Sequence, residues 1–222
     1  MIFYKGRSGD TPVLNIIVYI EEGITITIEK GSIEIPLLNS ILDAMESSNM
    51  GLELYFDILY MEGGTEPSID RCLCLARLIS NLVLFMELSV KWKLICEHWA
   101  FVFDDIDKAT EERFDNGDFV SVNFRRGIKR LKNICSLSTT LTNCLELYKL
   151  RNKIQHFTLT SEPIDLTLKI ISYAIEEMGK FVLDHMISEI CDDKELVEDF
   201  NEHVTRLKLH GIELASNIKE SS

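Results

Sequence analysis

From Ser68 onward, apolar residues return at intervals of three and four: Ile69, Leu73, Leu75, Leu78, Ile79, Leu82, Val83, Met86, Val90 and Leu94. That spacing puts them on one stripe of a 3.6-residue helix. It predicts a helical run capped by Ser68 and reaching Phe103, with no proline to force a break. Unbroken, such a run exceeds about 50 Å, so it is either one long helix or two in series. Shorter patterns of the same kind predict a basic helix over Ser121 to Cys135 and another over Leu141 to Leu150. Ile164 to Ile190 carries Ile171, Ile175, Met178 and Val182 on one stripe. A weaker pattern runs through Leu196, Phe200, Val204, Leu207 and Leu214. Asp115-Asn116-Gly117-Asp118 and Ser161-Glu162-Pro163 punctuate the chain as turns.

The first third reads differently. Val13 to Ile20 is β-branched, Ile24 to Ile28 alternates with Thr, and Ile33 to Ile35 follows a turn at Gly31-Ser32. These features predict a small antiparallel meander. Pro36 opens a helix over Leu37 to Glu46. Gly51 to Met61 is ambiguous. Leu52, Leu54, Phe56, Ile58 and Tyr60 alternate as in a strand, while Tyr55 and Leu59 between them suit a buried helix. Gly63 to Pro67 is the clearest boundary. The expected organisation is mainly α. A β-containing appendage occupies residues 1–66, an antiparallel helical bundle residues 67–190, and an acidic helical tail residues 191–222.

Composition narrows the function classes. The chain has 222 residues, 46% of them hydrophobic, which is enough for an ordinary core. Against 23 Lys and Arg stand 36 Asp and Glu, a net charge of −13 that argues overall against a phosphate-binding surface. The six cysteines form no CxxC and no zinc-finger spacing with histidine, so they are expected as reduced thiols of a cytoplasmic protein. The first ten residues show no secretory signal pattern. The most apolar stretch, Leu78 to Met86, is bounded by Arg77 and Glu87 and falls short of the ~20 residues of a membrane span. No nucleotide-binding glycine pattern, G-x-S-x-G or H-E-x-x-H occurs. No cofactor, metal or membrane is expected.

One string carries chemistry: Leu147-Tyr148-Lys149-Leu150-Arg151-Asn152-Lys153-Ile154-Gln155-His156-Phe157. On a helix Asn152 and His156 share a face. Arg151 lies roughly 140° round from His156, and its long stem can swing back toward it. His exchanges a proton near neutral pH, as a general base or acid must. Arg carries a fixed charge and a planar fork suited to phosphate. Asn can orient either group through its amide. The set suits cleavage of an RNA phosphodiester by its own 2′-hydroxyl, and a two-fold pairing of the segment would bring two copies into one cleft. The bland reading is a solvated Arg and His on a helix surface. The surroundings weigh against it. Between Phe119 and His156 stand Arg125, Arg126, Lys129, Arg130, Lys132, Lys149, Arg151 and Lys153 against Glu146 alone, a local balance of +7. Such a cationic surface is what a polyanion would bind. Equally, it is a face the acidic tail could cover.

The string from Leu150 to Phe157 resembles the HEPN superfamily, whose signature is Arg, a polar residue, three further positions and His. Glu87-Leu88-Ser89-Val90-Lys91 matches an E-x-x-x-K step on an early helix. Glu97 to Phe103, Gly117 to Phe119 and Arg130 to Ile134 look like HEPN proteins of the prokaryotic defence type. The resemblance covers about residues 67–190. It implies an all-α bundle, a homodimer with Arg and His at its interface, and a metal-independent endoribonuclease acting as a toxin or antiviral effector with an antitoxin or defence-system partner. Arg151, Asn152 and His156 take the catalytic positions. Glu87 and Lys91 support them, and Arg125, Arg126, Lys129, Arg130 and Lys153 are the candidate RNA contacts. One subgroup carries an antitoxin-modified tyrosine two positions after the His, where this chain has Thr158. Glu87 and Lys91 are also spaced for a plain helix ion pair worth ~0.3–0.5 kcal/mol. The alternative to an enzyme is a non-catalytic RNA-binding or protein-interaction module. The remaining histidines are weaker candidates, with His98 expected to be packed beside Trp99.

Overall fold

Leu38, Ile41, Met45, Leu52, Tyr55 and Phe56 follow one another at helical intervals, and all six are buried. In the computed structural model they line the inner side of a 29-residue helix, α1 (Glu34–Glu62). Pro36 sits in its first turn, where a missing N–H costs nothing. The structure describes residues 34–62, 68–135, 141–156, 164–190 and 192–220. Of the first 33 residues it describes only the backbone of three short extended stretches, β1 (Ile2–Phe3), β2 (Asn15–Tyr19) and β3 (Thr25–Glu29), paired antiparallel in that order. They do not by themselves show a folded appendage.

α2 (Ile69–Glu97) is the spine of the molecule. Ser68 caps it, its hydroxyl accepting from the Arg71 amide at 3.1 Å. The helix runs unbroken to His98, which settles the choice between one helix and two up to that point. It lies antiparallel to α1. Asn81 donates to the Ser47 carbonyl at 3.3 Å, and the Arg71 guanidinium donates to the Tyr55 hydroxyl at 3.0 Å. Two 3₁₀ turns, Trp99–Val102 and Ile106–Lys108, lead into α3 (Glu111–Asp115). Then come α4 (Phe124–Ile134), α5 (Thr142–His156), α6 (Ile164–His185) and α7 (Lys194–Glu220).

One core draws on α1, α2, α4, α5, α6 and α7. A smaller cluster of Ile95, Trp99, Val102, Phe103 and Phe114 sits under the 99–122 segment. Phe103 and Ser121 form an isolated antiparallel bridge that ties the segment to itself.

This packing corrects three sequence expectations and resolves one ambiguity. Residues 34–62 are not part of an appendage, because their apolar stripe is buried in the main core. The ambiguity over Gly51 to Met61 resolves to helix. Leu52, Tyr55 and Phe56 point inward at helical spacing, while Leu54 and Tyr60 of the apparent alternation are exposed. Glu34 and Ile35 likewise belong to the first turn of α1. Residues 194–220 are not a tail. Phe200, Val204, Leu207 and Leu214 are buried, and α7 packs on α6 and α1 rather than on the basic α4.

By length and composition α2 is apolar enough to cross a membrane, the one described helix that is. The expected limit at Arg77 and Glu87 therefore does not hold for the helix as a whole. Of its most apolar window, 56% is buried within the bundle.

Candidate functional site at the junction of α2, α4 and α5

α5 commits Leu147 and Leu150 to the core, with Ile154 packed at its edge. Tyr148 and Arg151, three positions apart, share the adjoining face. Arg151 is half-buried. Its Nη2 donates to Glu87 Oε1 on α2 at 3.0 Å, and its Cζ lies 5.1 Å from the centre of the Tyr148 ring. Tyr148 in turn packs against Phe124 of α4 at 5.5 Å. α4 comes this close to α2 through Gly127, where a Cβ would stand 2.8 Å from Val90 Cγ1. The guanidinium is thus fixed by a charge-assisted hydrogen bond from one helix and an aromatic face from its own. Two residues that the sequence separates by 64 positions meet here.

Glu87 therefore serves Arg151 and not Lys91. The expected helix ion pair between Glu87 and Lys91 is corrected, because Lys91 makes no ion pair among the described residues. It lines an open groove instead. Asn152 is half-buried on α5. Gln155 and His156 end α5 by their backbone, and their side chains lie outside the described residues. The helical register keeps Asn152 and His156 on one face.

The candidate RNA contacts divide. Arg125 and Lys129 are exposed on α4, four positions apart, with no ion pair among the described residues. Lys153 is exposed on α5. Arg126 is paired with Asp104 at 2.6 Å. Arg130 is turned the other way. Its guanidinium donates to the carbonyls of Phe101 and Asp104, each at 2.8 Å, and of Phe103, so it clamps the segment after α2. The expectation that Arg130 contacts RNA is corrected on that ground: its Nη1 and Nη2 are committed to backbone carbonyls.

Other reactive groups are accounted for without substrate. Burial pushes the Cys74 thiol up and the Cys144 thiol well up, and burial with Glu97 beside it pushes Cys135 up to about 11. None is a thiolate nucleophile at neutral pH. His98 caps the first 3₁₀ turn, its Nδ1 accepting from the Ala100 amide at 3.2 Å, and stacks on Trp99 at 5.4 Å. His203 and His210 face Glu46 and Glu53 across the α1–α7 seam.

Sequence reasoning missed two features. The platform under Arg151 was signalled only by the three-residue spacing of Tyr148. The second is Lys93, buried on α2 and bound to Glu97 at 2.8 Å and Glu189 at 2.6 Å. Its four-residue spacing to Glu97 was visible, but its partner beyond α6 was not. Compared with protein-family models, with curated proteins and with solved structures, the chain matches none.

Proposed function

We propose that this chain is a metal-independent endoribonuclease of the HEPN type. It would work as a homodimer in the cytoplasm, as a toxin or antiviral defence effector, with an antitoxin or another defence component as partner. In this reading the first 33 residues form a small β-containing appendage on the bundle. His156 takes the proton of a ribose 2′-hydroxyl, and the oxygen attacks the adjacent phosphorus. The 5′-oxygen leaves with the proton returned from the imidazolium, so the products carry a 2′,3′-cyclic phosphate and a 5′-hydroxyl. Arg151 meets the charge that grows on the phosphoryl oxygens, and Asn152 orients the phosphate.

The observation that carries the reading is the placement of Arg151. It is preorganised by Glu87 and Tyr148 at the edge of a cationic surface, five residues before His156 on the same helix. A guanidinium held in this way needs little reorganisation to meet a phosphate.

The test is cleavage of labelled RNA by the purified chain. His156→Ala and Arg151→Ala each abolish product while the helical circular dichroism is kept, and a chelator leaves the rate unchanged. Strong inhibition by chelator, or wild-type activity in His156→Ala, defeats the mechanism.

A non-catalytic RNA-binding or protein-interaction module is the second reading, and the Glu87 pair favours it. An arginine whose charge is already met by a carboxylate can serve architecture alone. RNA binding without product, indifferent to changes at Arg151 and His156, would select that reading.

A further inference from the structure

One turn along α2 from Glu87, an open groove of about 460 Å³ lies between the start of α1, α2 and the 99–122 segment. Its walls include Leu37, Lys91, Ile95, Phe114, Phe119 and Ser121. That volume is in the range of small-ligand sites. Its character is uneven. Phe114 and Phe119 give it an aromatic wall, made rigid by the stack of Phe119 on Phe103 at 4.2 Å and 16°. Lys91 supplies a cation with no ion pair among the described residues. Asp115, the one carboxylate among the lining residues, disfavours a phosphate at its own side. The tight turn that shapes this rim rests on Gly117, whose φ of 68° suits glycine.

Glu87 and Lys91 are four residues apart on α2, about 6 Å along its axis. Lys91 thus lies one turn along the same face of α2 from Glu87, the residue that holds Arg151. A flat apolar wall with one cation beside it is the combination that unpaired nucleotides use, the base stacking on an aromatic ring and the backbone held by charge.

We propose that this groove is a nucleotide subsite: it takes the base of one unpaired RNA nucleotide against Phe119, with that nucleotide's phosphate on Lys91. The proposal rests on the ribonuclease reading above and adds to it where the strand lies. A phosphate held at Lys91 would sit one turn of α2 from Glu87, the residue that holds Arg151.

The experiment measures fluorescence anisotropy of a labelled short cytidine oligoribonucleotide with the full chain, carrying His156→Ala to stop turnover. Lys91→Gln weakens binding about tenfold and lowers the slope of log affinity against log salt by about one, as loss of a single phosphate contact requires. Ser121→Trp, which fills the groove, weakens binding comparably. Lys169→Gln, an exposed cation on α6, leaves it unchanged. Unchanged affinity in both groove variants overturns the subsite. Unchanged affinity in Ser121→Trp alone also overturns it, because only a phosphate contact would remain. The two readings fail separately. A chain that shows these losses yet never cuts RNA removes the ribonuclease and keeps the subsite, whereas one that cuts RNA but binds equally well in both variants removes the subsite alone.

Discussion

At the scale of single residues, the most heavily invested charge in the bundle is Lys93, six positions along α2 from Glu87. Burial alone would lower its pKa, but hydrogen bonds from its ammonium to Glu189 and Glu97 lift it to about 12. The same contact holds Glu97 below its ordinary range, with burial opposing. The signs differ for the two groups. The Lys93 contribution is complete below its unfolded value near 10.5 and is lost only as pH rises through about 12. The Glu97 contribution is present above the unfolded value near 4.5 and is lost as pH falls through the lowered folded value. Acid should therefore weaken the tie between α2 and the residues after α6. Lys93→Met removes the buried partner and leaves two carboxylates that water still reaches, so the cost at neutral pH is about 1–2 kcal/mol rather than that of a stranded buried charge. The sharper consequence is in the profile. Between neutral pH and pH 4 the thermal midpoint of Lys93→Met falls less than that of the wild type, because Glu97 no longer has a depressed value to lose. Parallel profiles in a denaturation series would show that the pair carries no linked stability.

At the scale of elements, α7 shows how composition can hide a core helix. Eight acidic residues between Asp192 and Glu220 dominate the eye, and only every third or fourth residue turns inward. Yet Phe200 is fully buried, and the Ser172 hydroxyl on α6 donates to the Gly211 carbonyl of α7 at 2.8 Å. Phe200→Ala is expected to cost about 3–5 kcal/mol and to lower the thermal midpoint by roughly 10 °C, followed by circular dichroism. A detachable tail would tolerate the change. The same contrast explains what the sequence did and did not disclose elsewhere. α2, α5 and α6 were legible because their apolar residues keep a single helical period between clear punctuation. In Gly51 to Met61 the periods of two and of 3.6 overlap over a short apolar run, and only packing on α2 decides between them. The Arg151 and His156 pair was legible as candidate chemistry because its spacing is local. That Glu87 binds Arg151, and that Arg130 clamps carbonyls, depends on contacts between distant parts of the chain. No periodicity encodes such contacts.

For the molecule as a whole, charge is the property most at odds with the proposed substrate, and the proposal turns on how that charge is distributed. A chain of −13 repels RNA from most directions. α7 packs on α6 and α1, while exposed cations stand on α4 and α5, and under the proposed function these are where an approaching strand would be steered. Among these residues the structure separates exposed cations from committed ones. Arg125 and Lys129 stand exposed on one helical face, whereas Arg126 is held by Asp104 and Arg130 by three carbonyls. Reversing both exposed charges, Arg125→Glu with Lys129→Glu, should weaken RNA binding more than tenfold and lower the salt slope by about two, with the thermal midpoint unchanged. Arg130→Ala should do the opposite. Three part-buried carbonyls lose their donor, the 99–122 segment loosens, and the midpoint falls while RNA affinity per folded molecule changes little. Stability and binding are therefore read side by side on the same preparations. If Arg130→Ala weakens binding at constant midpoint and the double reversal does nothing, the exposed face of α4 is not where RNA lands, and steering by α4 is excluded.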